Sequence, residues 1–467
     1  MLFLFLYHMK MTRFIEKVFT NYLPSPFTLA ILLTITAFLL TLLFTLPADT
    51  NVFHYSLDVL SFWEKGIWST SLLEFAYQMM LILVLGHVLV LSKPMSNLIE
   101  NLTKYCTSTP VSAAIVASAT MLVAFFNWGL GLIFGALLAR KVGERAQQNN
   151  IPLNYPLIGA AGYVGLMVWH SGISGSAPVK INEDGHLKSI MTNTSAPELL
   201  NQIPSTITFS DTVFSAWNLI TFAVVFIVIS ILFFYLGRTS NPTKFALEVY
   251  QFQSEEEKNT RAEKLDSSRI LAILFGSIIV CVAFYQYGND VFHLKITPNF
   301  LNFFMLGLGI VLHGTLKNFA NAVGESISDI SGILIQFPLY FGIMGMMTQS
   351  GMVNLISDAF ISISNEVTLP IFTFFSAGLV NIFVPSGGGQ WVVQGPIVIE
   401  SALQLGVPLP KAIMALAYGD QITNMLQPFW ALPLLGITKL KAKEILPYTL
   451  ITMIVASVIY ILALILI

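Results

Sequence analysis

Apolar residues run through this chain in blocks of membrane-crossing length, divided by short polar stretches. About 20 consecutive apolar residues form a helix long enough to cross a hydrocarbon layer of ~30 Å. On that measure helices are predicted at residues 27–46, 72–91, 157–175, 212–236, 270–287, 300–316, 332–349, 412–435 and 445–467. Two longer apolar blocks, 111–140 and 369–405, carry Gly and Asn near their middles. Each fits one long helix, two spans, or a hairpin that turns inside the layer and returns. Three polar stretches stand out. Residues 179–210 are rich in Asn, Ser, Thr and Pro, and residues 237–269 hold the charge run S-E-E-E-K-N-T-R-A-E-K. Residues 51–71 place Trp63 and Trp68 beside Glu64 and Lys65, which suits a membrane interface.

Lysine and arginine collect in cytoplasmic loops. With both long blocks read as hairpins and the N-terminus inside, 18 of the 23 Lys and Arg fall on the cytoplasmic side. A single crossing by the first block would instead send the basic 237–269 loop outside. The preferred reading is an all-α polytopic membrane protein with nine full spans, two re-entrant hairpins and two broken helices.

The halves flanking the 237–269 linker resemble each other. The first has Asn127-Trp-Gly129-Leu-Gly131, then Ile151-Pro152-Leu153, then the interruption His170-Ser-Gly-Ile-Ser-Gly-Ser-Ala-Pro178. The second has Asn381 to Gly389, then Val407-Pro408-Leu409, then the interruption Gly419 to Pro433. Gly131 to Pro152 and Gly387 to Pro408 are both 21 residues. The expected domains are an amphipathic cytoplasmic segment (1–26), a first repeat (27–236, hairpin near 111–140, broken helix 157–178) and the linker. A connecting span (270–287) and a second repeat (300–467, hairpin near 369–405, broken helix 412–435) follow. One connecting span makes the repeats inverted, the architecture of many secondary transporters.

Composition agrees with this class. The 467 residues are 55% hydrophobic and 10% charged, against ~25% charged in an ordinary soluble domain. A net charge of −2 without a basic, aromatic-interleaved patch gives no reason to expect a nucleic-acid partner. Cys106 and Cys281 show no metal-ligand spacing. The first residues lack a basic n-region and an A-x-A site, so no cleaved signal peptide is expected, and Met9 and Met11 compete with Met1 as the start.

Candidate chemistry sits where the apolar pattern breaks. A broken backbone in lipid leaves unpaired N–H and C=O groups, tolerated only beside protein or a wet cavity. Ser386, Gly387, Gly388 and Gly389 form a tip whose glycines let a ligand approach free amides; a plain turn that lets two arms pack is the alternative. Asn127 and Asn381 precede the two tips and either cap a helix or contact a ligand. Asp420 is an intramembrane carboxylate, suited to hold Na⁺, to carry a proton or to cap a half-helix. Thr423 and Asn424 surround it. Ser171, Gly172 and Ser174 lie in the matching break beside His170, where a satisfied core histidine is the commoner outcome. Gln390 and Gln394 share one face of the arm after the second tip, and Trp391, Phe429 and Trp430 are candidate cavity walls. Gly172-Ile-Ser174-Gly175 also matches the short G-x-S-G of intramembrane serine proteases. Neither break contains Lys or Arg, which favours a small monoanion over a dicarboxylate.

The motifs F-V-P-S-G-G-G-Q-W-V-V-Q-G-P (383–396), A-Y-G-D-Q-I-T-N-M-L-Q-P-F-W-A-L-P (417–433), G-I-L-I-Q-F-P-L-Y (332–340) and N-W-G-L-G (127–131) resemble the short-chain fatty acid transporter family. The resemblance runs from Met11 to the C-terminus. It implies an ion-coupled carrier that takes up butyrate- or acetoacetate-like substrates across a bacterial inner membrane, with tips and breaks forming the site. The expected substrate residues are Ser386, Gly387, Gly388, Gly389, Gln390, Asn127, Gly129, Ser171, Gly172 and Asn424. The expected ion-coupling residues are Asp420, Thr423, Asn381 and Ser174. No enzyme activity and no cofactor are expected. Bound Na⁺ and a homodimer stay open, and the partners are a small carboxylate and the lipid bilayer. The alternatives are a dicarboxylate or amino-acid carrier and, from other classes, an ion channel or an intramembrane protease.

Overall fold

The structure is a computed structural model that describes residues 21, 24–191, 201–247, 263–292 and 297–466. Most of the expected 1–26 segment and most of the 254–264 charge run lie outside these residues. The described chain is helical, without strands. Among the described residues, six helices are long and apolar enough to cross a membrane: Pro26–Phe44, Thr70–Leu89, Thr109–Phe126, Ala216–Thr239, Arg269–Phe292 and Ala442–Leu466. Several turn apolar rows outward. Ile220, Ile227 and Ile231 on one helix, and Ile270, Leu274 and Ile278 on another, are exposed. Rows of that extent belong against lipid rather than water.

Local chemistry sets the helix ends. Asn154 and Thr297 accept from the backbone N–H of Leu157 and Phe300 at 3.1 and 3.2 Å, satisfying amides that a first turn leaves free. Proline stands in the first turn of the helices beginning at Thr109, Tyr155, Pro298, Leu369, Leu409 and Pro428, where its missing N–H costs nothing.

Three departures from the apolar blocks have physical causes. The 300–316 block stops as helix at His313, because Gly314 takes φ 72° and turns the chain into Leu316–Ser326. That helix, with Lys93–Thr103 and Met352–Ile361, has polar and apolar faces; its polar face interrupts any continuous apolar run. Residues 51–71 form Val52–Ile67, which packs backbone to backbone on Ser331–Gln349: a Cβ on Gly66 would lie 2.4 Å from the Phe341 carbonyl oxygen. Trp63 covers Gly342 in that contact, so it packs between helices.

Both long blocks are antiparallel hairpins. Thr109–Phe126 and Trp128–Gln148 meet at Asn127, with Gly131 against Ala124 and Gly135 against Thr120. Leu369–Phe383 and Gly387–Leu405 meet at residues 384–386. Gln390 Nε2 donates to the Ala377 carbonyl at 2.9 Å and Gln394 Nε2 to Ser376 Oγ at 2.7 Å, so the two glutamines staple the second hairpin's arms. The halves embrace reciprocally. The far arm of the first hairpin packs on Pro428–Thr438, beyond the second break, and the far arm of the second packs on Ser176–Ile181, beyond the first.

Candidate functional site

The first break follows the short helix Tyr155–Ala161 and a 3₁₀ turn, Val164–Met167; regular helix resumes at Ser176. The second follows Leu409–Thr423 through a 3₁₀ turn, Asn424–Leu426, into Pro428–Thr438. Side chains from across the molecule meet the carbonyls that these breaks release. Tyr460 donates to Met167 O at 2.8 Å, Asn218 to Ser171 O at 3.0 Å and Tyr163 to Asn424 O at 2.8 Å. Thr449 donates to Met425 O at 2.5 Å. Each bond offsets a desolvation cost of about 1–3 kcal/mol for an unpaired buried group. None of these four donors follows from the local sequence; polar side chains at buried positions of otherwise apolar helices are their signal.

The two breaks lock onto each other. Asp420 Oδ2 bonds His170 Nδ1, and Gln421 Oε1 accepts from the backbone N–H of His170 and Ser171 at 2.9 and 3.0 Å. Asp420 therefore pairs with the other half instead of capping its own helix. Asn381 braces the second break from its hairpin: its amide nitrogen lies 2.7 Å from Asp420 O, 2.9 Å from Thr423 Oγ1 and 2.8 Å from Asn424 Oδ1. Thr423 in turn donates to Gly378 O at 3.0 Å.

The second tip reaches the first break. A Cβ on Gly387 would lie 2.6 Å from Trp169 and 3.0 Å from His170; one on Gly388 would lie 3.9 Å from Ser176 Oγ. Ser386 Oγ caps the tip helix at Gly389 N, 3.2 Å away. At the first tip, Asn127 Oδ1 caps Leu130 N at 2.9 Å, Trp128 N donates to Ser174 Oγ at 2.9 Å, and Ile173 N to Phe125 O at 2.8 Å. Gly129 faces the methyls of Ile82 and Leu301, and Gly172 is pressed on the Phe125 carbonyl. Of the expected residues, the structure therefore brings together Gly387, Gly388, Ser171, Ser174, Asp420, Asn381, Thr423 and Asn424. Gln390 turns to its own hairpin partner, Gly172 serves close packing, and Gly129 has room for a Cβ, its nearest neighbour being Asn127 Oδ1 at 3.6 Å.

A cavity of about 360 Å³ lies between the second tip and the first break. Ser174, Ser176 and Gly388 give it polar lining; Trp128, Trp391, Ile173, Val179 and Val392 give it apolar walls. Such a volume is in the range of small-molecule sites, roughly 300–1,000 Å³. Two other cavities, about 510 and 540 Å³, lie beside Pro24–Pro26 and beside Gln202 and Pro410 and touch none of the expected residues. Phe429 and Trp430 stand behind the wall in an aromatic cluster, Trp430 packing on Trp128 with centroids 5.3 Å apart. Lys180, Glu183 and His186 also line the cavity. Lys180 lies just beyond the break as read from sequence, and Glu183 pairs with it at 3.1 Å. His186 Nε2 accepts from Trp391 Nε1 at 3.0 Å. Burial, and then Lys180, hold its pKa below the usual histidine value against the opposing pull of Glu183.

His170 forms no dyad with Ser174. His170 Nε2 accepts from Ala177 N at 3.0 Å and Nδ1 faces Asp420, so neither ring nitrogen is on Ser174.

A family model described as short chain fatty acid transporter matches residues 7–467. The chain belongs to that family. A relative from Escherichia coli (strain K12), provisionally named a short-chain fatty acid transporter, is 35% identical over 468 residues, covering 97% of this chain and 99% of the relative. A Haemophilus influenzae relative of the same provisional name is 34% identical over 463 residues, with the same coverages. Among solved structures, MtrF of Neisseria gonorrhoeae, described as illuminating a class of antimetabolite efflux pumps, aligns over 96% of both chains at 15% identity and TM-score 0.41. The YdaH transporter of Alcanivorax borkumensis aligns over 93% of this chain and 97% of its own at 14% identity and TM-score 0.40. Membership places the cavity and the paired breaks in a multi-pass membrane transporter of short-chain fatty acids.

Proposed function

We propose that this family member is a secondary active carrier that takes up short-chain fatty acids or similar small monocarboxylates, coupled to H⁺ or Na⁺, in a bacterial inner membrane. The observation that carries this reading is the cavity where the second tip meets the first break. Its serines and the tip backbone suit a carboxylate, while Trp128 and Trp391 suit a short acyl chain. Lys180 is neutralised locally by Glu183, so one negative charge on the substrate is the better match. The reciprocal packing of hairpins and half-helices supports two inverted repeats that rock about the site, with nine spans, two re-entrant hairpins and a cytoplasmic N-terminus. Lys180 at the wall also gives the dicarboxylate or amino-acid alternative its one observation. Labelled butyrate uptake into proteoliposomes, with a competition panel of short mono- and dicarboxylates and amino acids, separates these readings. Saturable uptake competed by acetate to valerate is expected. Competition by dicarboxylates alone, or uptake that does not saturate, would defeat the proposal.

A further inference from the structure

We propose that the His170–Asp420 pair carries the coupling proton, and that the backbone N–H of Ala177 links its protonation to the substrate cavity. This inference rests on the carrier reading above and deepens it. Both side chains are fully enclosed, His170 at 0% and Asp420 at 1% exposure. Their bond joins the first break to the second. The Ala177 amide occupies the lone pair of Nε2 at 3.0 Å. The ring proton therefore sits on Nδ1 and is donated to the carboxylate. With the carboxylate ionised, the pair holds one proton and a net charge of −1.

An enclosed charge of that kind is costly, and a second proton from water would neutralise it. In the proposed step that proton goes to Nε2, which keeps the bond from Nδ1 to Asp420. Binding there forms a new N–H on Nε2 and an imidazolium–carboxylate pair, and the Ala177 N–H···Nε2 bond breaks because two donors then face each other. Ala177 belongs to Ser176–Ile181. That helix contributes Ser176, Val179 and Lys180 to the cavity and packs on the far arm of the second hairpin. Protonation thus pushes a cavity wall away from the break, which is the link a carrier needs between ion and substrate.

The surrounding elements leave this role to the pair. The phenols of Tyr163, Tyr418 and Tyr460 donate to Asn424 O, Asn218 Oδ1 and Met167 O. The charged residues on the packed elements are Lys180, Glu400, Lys411, Lys443 and Glu444, with Arg140, Lys141, Glu144 and Arg145 on Trp128–Gln148 and Arg238 on Ala216–Thr239. Lys180 pairs with Glu183, and Arg140 and Lys141 pair with Glu144, while His170 and Asp420 bond each other. Trp169 stacks on the imidazole with centroids 4.6 Å apart.

Two measurements test the proposal. In weakly buffered detergent solution, acetoacetate binding to the unaltered protein is expected to take up protons from the medium. In Na⁺-free proteoliposomes, corrected for protein-free vesicles, protons are expected to enter with acetoacetate. Asp420→Asn and His170→Asn, both able to keep a hydrogen bond between the breaks, are expected to lose proton uptake on binding and to lower the proton-to-substrate ratio whatever rate they retain. Asp420→Glu keeps a carboxyl group and is expected to restore the ratio. Binding without proton uptake, an obligatory Na⁺ requirement, or an unchanged ratio in either variant would overturn the pair's role. If one variant does not fold, the ratio of the other decides. Failure to bind any short carboxylate would strike the carrier reading instead, and the competition panel shows that separately.

Discussion

Gly387→Ala is expected to abolish most transport while the protein still reaches the membrane. The added Cβ would sit 2.6 Å from the Trp169 ring and 3.0 Å from His170. Trp169 is buried, stacked on His170 at 4.6 Å and packed on Trp128 at 5.8 Å, so it cannot move aside without disturbing both the pair and the cavity wall. Overpacking of this kind costs about 1–3 kcal/mol. Spent on the contact between the second tip and the first break, that is roughly 5- to 150-fold in the balance between conformations. Gly388→Ala is the internal comparison, since its nearest neighbour, Ser176 Oγ, lies at an ordinary 3.9 Å. Butyrate uptake by both variants, normalised to protein in the membrane, should rank Gly387→Ala far below Gly388→Ala. Equal uptake would mean that the tip does not rest on the break.

Gly419→Ala is expected to act on stability. Alanine favours a helix interior over glycine by about 1 kcal/mol, and taken alone this would stabilise Leu409–Thr423. The built Cβ, however, lies 2.1 Å from the Phe374 carbonyl oxygen and 2.9 Å from the Ala377 side chain. The obstacle is backbone, so the whole Leu369–Phe383 arm would have to shift. Because the obstacle is backbone, collision outweighs propensity, and a net loss of up to about 2 kcal/mol follows. A lower unfolding temperature of the detergent-purified variant is the expected reading; an unchanged or higher one would refute the backbone contact between these helices.

The parts of this fold written in local chemistry were legible from sequence. Pro385 and the glycines after Ser386 interrupt an apolar run, and an interrupted run has few solutions in lipid; the hairpin follows. Asn127 is ambiguous as sequence because an amide serves a cap or a ligand equally, and only the 2.9 Å bond to Leu130 N shows the capping role. The pairing of His170 with Asp420 spans 250 residues and no periodicity reports it. The one available signal was complementarity: a lone titratable group in each break, each needing a partner. Lys180, Glu183 and His186 escaped because they sit in a polar segment that reads as a solvated loop, yet short helices fold that segment back against Trp391. Polar faces likewise concealed Leu316–Ser326 and Lys93–Thr103 from a reading based on apolar length.

The central claim, that substrate binds where the second tip meets the first break, is tested most directly by protecting one thiol. In a background with Cys106 and Cys281 replaced by Ser, Ser176→Cys places a thiol on the cavity lining beside Gly388. Its rate of reaction with a small maleimide is measured with and without butyrate in proteoliposomes that transport. The account predicts that butyrate slows labelling in proportion to its occupancy in transport, and that butylamine does not. Labelling that proceeds at the same rate under saturating butyrate would contradict it.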